Sequence, residues 1–124
     1  MPTLAPLVKT FDFDEVMLVP KTCQISSRGT VDTTVSLGTQ KFLLPVVPAN
    51  MSTILDENLA TFLAENGYFY VMHRFNIDPL VFIKRMQSKN LYTSISIGIQ
   101  DSDSTFVKTL KKLEKPVDYI TIDI

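Results

Sequence analysis

A chain of 124 residues that is 45% hydrophobic has the material for one ordinary domain. Its net charge of −1 and single cysteine exclude a basic nucleic-acid face, an acidic tail, an intrachain disulfide and a multi-cysteine zinc cluster. No apolar run approaches the roughly 18 residues of a membrane span, and the opening MPTLAPLVKTFDFD lacks the layout of a secretory signal. A soluble, cytoplasmic protein with no nucleic-acid or membrane partner is the expectation.

Residues 1–23 read as extended and irregular, with Phe11, Phe13 and the run from Val16 to Val19 available to cover the edge of a core. Cys23 has no histidine or helix start beside it and reads as an inert thiol. A polar turn follows at Ser26, Ser27, Arg28 and Gly29. Val31, Thr33 and Val35 then alternate with Asp32, Thr34 and Ser36, the period of a half-buried strand. A turn at Gly38 to Gln40 and a second strand from Phe42 to Leu44 complete a small β hairpin.

Residues 44–53, LPVVPANMST, are a short apolar strand cut off by Pro48 and leading into a helix. Asn50 and Met51 thereby stand at a strand's carboxyl end, where α/β folds place ligands. Asp56 is the predicted N-cap of that helix, Leu59, Phe62 and Leu63 its buried face, and Gly67 its stop. Residues 69–72 form the next strand, with His73 and Arg74 at its tip. Asp78 and Pro79 start a second helix carrying Phe82, Ile83 and Met86. Residues 93–99 place Ile95, Ile97 and Ile99 opposite Ser94, Ser96 and Gly98. Asp103 opens a third helix, with Phe106, Val107, Leu110 and Leu113 buried, and Lys115 with Pro116 breaks it. In residues 119–124, Ile120, Ile122 and Ile124 oppose Tyr119, Thr121 and Asp123.

Strand centres recur at intervals of about 25 residues, each repeat holding one strand and one helix. Such alternation builds a parallel sheet. Isoleucines on one face and small polar residues on the other suit a closed barrel better than an open sheet, whose strands are apolar on both faces. The fold class expected is α/β. It is the N-terminal half of a (β/α)8 TIM barrel preceded by a small β hairpin, with residues 1–124 as one incomplete domain of four strands and three helices.

The blocks FDFDEVMLVP (11–20), Ser27 with Arg28, VDTTVSLG (31–38), LPVVPANMST (44–53), LAENGYFYVMHRF (63–75) and DYITIDI (118–124) together resemble the IMP dehydrogenase/GMP reductase family. The resemblance runs in order from Phe11 to Ile124 and covers about the first two-fifths of a family member. It implies a barrel enzyme, usually a homotetramer, that uses NADPH to deaminate GMP reductively to IMP and releases ammonia. Only about twenty residues separate His73 from the third strand, room for one helix and no inserted domain, which favours the reductase over the dehydrogenase. An insert-free IMP dehydrogenase and a non-catalytic truncated product are the alternatives.

By the same resemblance, Ser27 and Arg28 match a pair that reaches the cofactor of a neighbouring subunit, an arginine's planar fork suiting phosphate oxygens. Arg74 matches a basic cofactor contact. Asp123 and Ile124 match the start of the segment along the nicotinamide. Asn50 and Met51 match the lining of the nucleotide pocket. Ser52 departs from the family's Asp or Gln, and His73 reads as a structural, hydrogen-bonding residue. The family's nucleophilic cysteine, phosphate-binding segments and potassium site match nothing in this chain. Residues 1–124 alone are therefore expected to be inactive, with no catalytic residue of their own.

Overall fold

The computed structural model describes residues 9–124, so the reading of the first eight positions lies outside the described residues. The chain divides after Val31 into two units. Among the described residues of the first, the backbone is irregular apart from two 3-10 turns, Phe13–Glu15 and Arg28–Thr30. The Glu15 carboxylate closes the earlier turn by accepting the Asp12 amide at 3.0 Å. The expected role of Phe11, Phe13 and the residues from Val16 to Val19 has no counterpart within their own unit, where no buried core forms among the described residues. These side chains are exposed, Phe13 and Leu18 to 95%. An extended segment without a ladder presents no continuous apolar face to bury.

The second unit, Asp32–Ile124, opens with the hairpin of β1 (Val35–Leu37) and β2 (Gln40–Phe42), antiparallel with Val35 opposite Phe42. Gly38 turns the chain at φ +59°, a conformation that glycine adopts without steric cost. Both strands differ from expectation. The Asp32 side chain accepts the Thr34 amide at 2.9 Å and the Thr34 hydroxyl at 2.6 Å, so β1 starts at Val35 and not Val31. The same two bonds hold the Asp32 carboxyl below the usual carboxylate range. The turn also takes fewer residues than expected, so β2 begins at Gln40.

Residues 44–47 form no strand. A strand needs a partner for its alternate backbone groups, and this run has none among the described residues. The neighbouring Leu43 amide bonds to the Gly67 carbonyl at 2.9 Å, and Val46 stays 64% exposed.

Helix α1 (Glu57–Glu65) is capped by Asp56, whose carboxylate accepts the Leu59 amide at 2.7 Å. Its buried face matches expectation only at Leu63, which packs against the core cluster. Ala60 and Thr61 are buried, whereas Phe62 is 56% exposed. The Thr61 hydroxyl satisfies itself on the Glu57 carbonyl at 2.7 Å. Gly67, at φ +74°, stops the helix. Its amide bonds to the Ala64 carbonyl at 3.3 Å and the Tyr68 amide to that of Leu63 at 2.9 Å, the paired bonds of a Schellman motif.

Helix α2 (Pro79–Ser88) follows its predicted start. The Asp78 carboxylate accepts the amides of Leu80 and Val81, and Phe82, Ile83 and Met86 are fully buried. Helix α3 (Asp101–Leu110) begins two residues before Asp103, which therefore caps from inside the first turn. Leu110 is buried, and Phe106, Val107 and Leu113 pack against the same cluster.

Strands β3 (Ser94–Ile97) and β4 (Tyr119–Ile122) pair in parallel, Ser94 opposite Tyr119. Residues 69–72 contribute one parallel bridge, Met72 to Ile95, and no longer ladder. Side chains alternate between two clusters across this sheet. Tyr70, Met72, Ile95 and Ile97 join the helices, whereas Phe69 and Val71 join Phe42, Tyr92 and Tyr119. The isoleucines of β3 thus face the helices as expected, and Ser96 bonds instead to the Met72 carbonyl at 2.9 Å. Ile99 lies beyond the strand and is 68% exposed.

The strands' amino ends are pinned by polar contacts. The Asp118 carboxylate accepts both the Thr93 amide (2.8 Å) and the Thr93 hydroxyl (2.9 Å), and the Asp118 amide returns a bond to that hydroxyl. Tyr92 donates its phenol to the Tyr68 carbonyl at 2.6 Å and accepts the Tyr70 amide at 3.2 Å. Burial pushes the phenols of Tyr70 and Tyr92 well above the ordinary tyrosine range.

Candidate functional site

The carboxyl ends of the extended segments in the second unit carry Asn50, His73, Arg74, Gly98 and Asp123. Asp123 follows β4 on the Tyr119 and Thr121 face, and its amide bonds to the Ile97 carbonyl at 2.8 Å. Asn50 reaches it from the other end of the unit. The Asn50 amide nitrogen donates to the Asp123 carboxylate at 3.0 Å, with both residues half-buried. Asn50 is held by its own turn, because the Met51 carbonyl accepts the amides of Ile54 and Leu55. Leu55 anchors that turn in the core at 1% exposure. Met51 is 54% exposed and Ile124 is 93% exposed, so neither fills the core. A carboxylate with one fixed amide donor and one free oxygen can hold a polar ligand at a strand end.

His73 is buried and its Nδ1 accepts the Phe75 amide at 3.2 Å. A neutral ring with Nδ1 as acceptor carries its proton on Nε2. It lines a groove of about 560 Å³ with Ser52, Asp56, Asn76 and Arg85. Arg85 is already engaged there, at 2.8 Å from Glu57 and 3.0 Å from the Asn58 side-chain oxygen.

Arg74 is exposed, with its guanidinium carbon 5.1 Å from the centre of the Phe75 ring. It borders a groove of about 300 Å³ with Ser96, Ser102 and Asp103. Composition gave no sign that Asp103 and Gly98 shape this groove. The Asp103 carboxylate accepts the Gly98 amide at 3.1 Å and the Gln100 amide at 2.9 Å, tying the loop between β3 and α3. The sequence signal was an acid three residues into a helix behind a glycine, a reciprocal cap in place of the N-cap expected.

Ser27 and Arg28 lie in the first unit. The Ser27 side chain accepts the Gly29 amide at 3.3 Å, and its carbonyl accepts the Thr30 amide and hydroxyl at 3.0 and 2.7 Å. Arg28 is left exposed on a stiffened turn. Cys23 is free and exposed, and the second unit contains no cysteine. Among the described residues no helix is long and apolar enough to cross a membrane, and no cluster of three or more metal-ligating side chains occurs.

These features define a parallel βα protein whose polar residues gather where strands give way to helices. Residues 10–124 match the IMP dehydrogenase / GMP reductase domain, and the chain belongs to that family. It is 53% identical over 118 residues to the GMP reductase of Enterococcus faecalis, which covers 94% of this chain and 36% of the relative. It is 50% identical over 118 residues to that of Helicobacter pylori, with the same coverage, and 51% identical over 115 residues to that of Bacillus cereus, covering 92% and 35%. The chain spans little more than a third of the length of these relatives.

Proposed function

We propose that residues 1–124 are the N-terminal part of a (β/α)8 barrel, and that the complete protein is a cytoplasmic, homotetrameric GMP reductase. It would convert GMP to IMP and ammonia with NADPH as reductant. The observation that carries this is the 48 to 53% identity to relatives named GMP reductase over nearly the whole chain. A single helix, α2, fills the interval between His73 and β3, leaving no room for an inserted domain. The helix-facing isoleucines and the parallel pairing of β3 and β4 support the barrel.

The residues present fit a dinucleotide phosphate. Arg74 offers an exposed guanidinium at the border of a groove that Ser96 and Ser102 also line. NADPH supplies a hydride when bound. In this reading Arg74 holds its charged part, and Asp123 with Ile124 lies along the nicotinamide. Ser27 and Arg28 reach the cofactor of a neighbouring subunit. Asn50 and Met51 line the pocket for the purine nucleotide. Potassium belongs to the reading too, with ligands that none of the residues named here supplies. Residues 1–124 alone turn over no GMP, because the second unit has no thiol to attack a purine.

The test is NADPH oxidation by the complete protein. GMP-dependent oxidation with equimolar IMP and ammonia supports the reading. IMP-dependent reduction of NAD, without the GMP reaction, overturns it in favour of a dehydrogenase. Turnover by residues 1–124 alone would refute the statement about the thiol.

A further inference from the structure

We infer that Gly98 is a positioning residue for Arg74, keeping empty the volume across which the guanidinium lies; the functional part of this inference rests on Arg74 contacting the cofactor. A Cβ at position 98 would stand 2.7 Å from Arg74 Nη1, 3.3 Å from its Cζ and 2.8 Å from Asp103 Oδ2. All three distances are shorter than ordinary van der Waals contact. Glycine is not demanded here by the backbone, since the glycines with positive φ are Gly38 and Gly67. Space alone is the reason for it.

The two groups meeting at that volume are not equally free to move. Asp103 is fastened by the amides of Gly98 and Gln100, so its carboxylate is fixed beside the gap. Arg74 is the end of a long, exposed side chain resting on Phe75. A methyl group at position 98 would push the guanidinium aside, which swings away easily, and would also press on the fixed Asp103 carboxylate, which yields only by straining its loop. The fixed carboxylate favours the cation in the gap. Gly98 thus leaves room for a flexible arginine that the nearby Asp103 carboxylate attracts by its charge, with no hydrogen bond between them.

In the complete protein, Gly98→Ala is expected to raise the KM for NADPH about tenfold, the size of one charge-assisted contact. The KM for GMP and the kcat stay near wild type, while the melting temperature falls because Asp103 must also give way. Arg74→Ala gives a similar rise, and the double variant is no worse than Arg74→Ala alone. A Gly98→Ala protein with unchanged cofactor KM, or effects of the two substitutions that multiply, overturns the inference. If Gly98→Ala fails to fold, recovery of folding in the double variant supports the clash with Arg74, and continued misfolding refutes it. If Arg74→Ala leaves the cofactor KM untouched, the cofactor reading of Arg74 falls instead. A crystal structure of the Gly98→Ala protein then decides the positioning itself: a displaced guanidinium supports it, and one still against residue 98 sinks it.

Discussion

Asn50 donates to the carboxylate of Asp123 over 3.0 Å, joining residues 73 positions apart at the carboxyl ends of the extended segments. A hydrogen bond to a charged, half-buried acceptor contributes about 1.5–3 kcal/mol. In the complete protein, Asn50→Ala should therefore lower kcat/KM for GMP by about tenfold to a hundredfold and lower the melting temperature as well, because the lost bond also holds the fold. Wild-type kcat/KM in steady-state NADPH assays would remove Asn50 from the proposed site.

The contact between Thr93 and Asp118 has a different character. It lies at the strands' amino ends and fixes the register of β3 against β4. Asp118→Ala strands a buried threonine amide and hydroxyl, so stability should drop by about 2–3 kcal/mol. Asp118→Asn keeps one acceptor oxygen and should cost about half as much. Urea titration measures both, and a shift of a few tenths of a kcal/mol for the alanine variant contradicts this account.

Gly67 and Gly38 both turn the chain at positive φ but in unlike surroundings. An added Cβ at Gly38 meets nothing, whereas at Gly67 it stands 3.4 Å from Leu43 Cγ. Gly38→Ala should cost about 1 kcal/mol, the conformational penalty alone. Gly67→Ala should cost a similar amount, because 3.4 Å to Leu43 is ordinary van der Waals contact. A clearly larger loss at Gly67 in paired melts would mean that Leu43 crowds the added methyl group.

Alkaline titration should expose the buried phenols. Burial raises the folded-state pKa of Tyr70 and Tyr92 above the unfolded value near 10. Their neutral forms are thus favoured by folding. That stability is fully present below about pH 10 and is lost as pH rises beyond it, because the unfolded state releases protons first. Stability should fall by up to about 1.4 kcal/mol per pH unit for each of the two. Phenolate absorbance should show both titrating only together with unfolding. Early ionisation of all the tyrosines in a still-folded protein contradicts the burial argument.

The starts of α1 and α2, the glycine stop and the alternating faces were legible in the sequence because each depends on neighbours in the chain. Asp56, Asp78 and Gly67 act within four residues of themselves. The strand at 44–47 was misread because apolar character does not supply a ladder partner. The register of α1 was misread because Ala60, a small residue, buries where Phe62 cannot. At the candidate site, Asn50 and Asp123 could be named from their blocks, but no local pattern announces a bond across 73 residues. Gly98 was invisible for a related reason: its role is defined by the side chain that crosses it.

The bonds that tie the sheet together span few residues, 24 from Met72 to Ser96 and 25 from Thr93 to Asp118. Those that close Asn50 on Asp123 and Tyr119 on Leu37 span 73 and 82. Loop-closure entropy rises with span, so contacts one repeat apart are reached first during folding and the distant pairs afterwards. Substitutions at Asp118 should slow folding, while those at Asn50 should chiefly hasten unfolding. A ligand held between Asn50 and Asp123 would then act as a late clasp, drawing the two ends of the second unit together after its middle has formed.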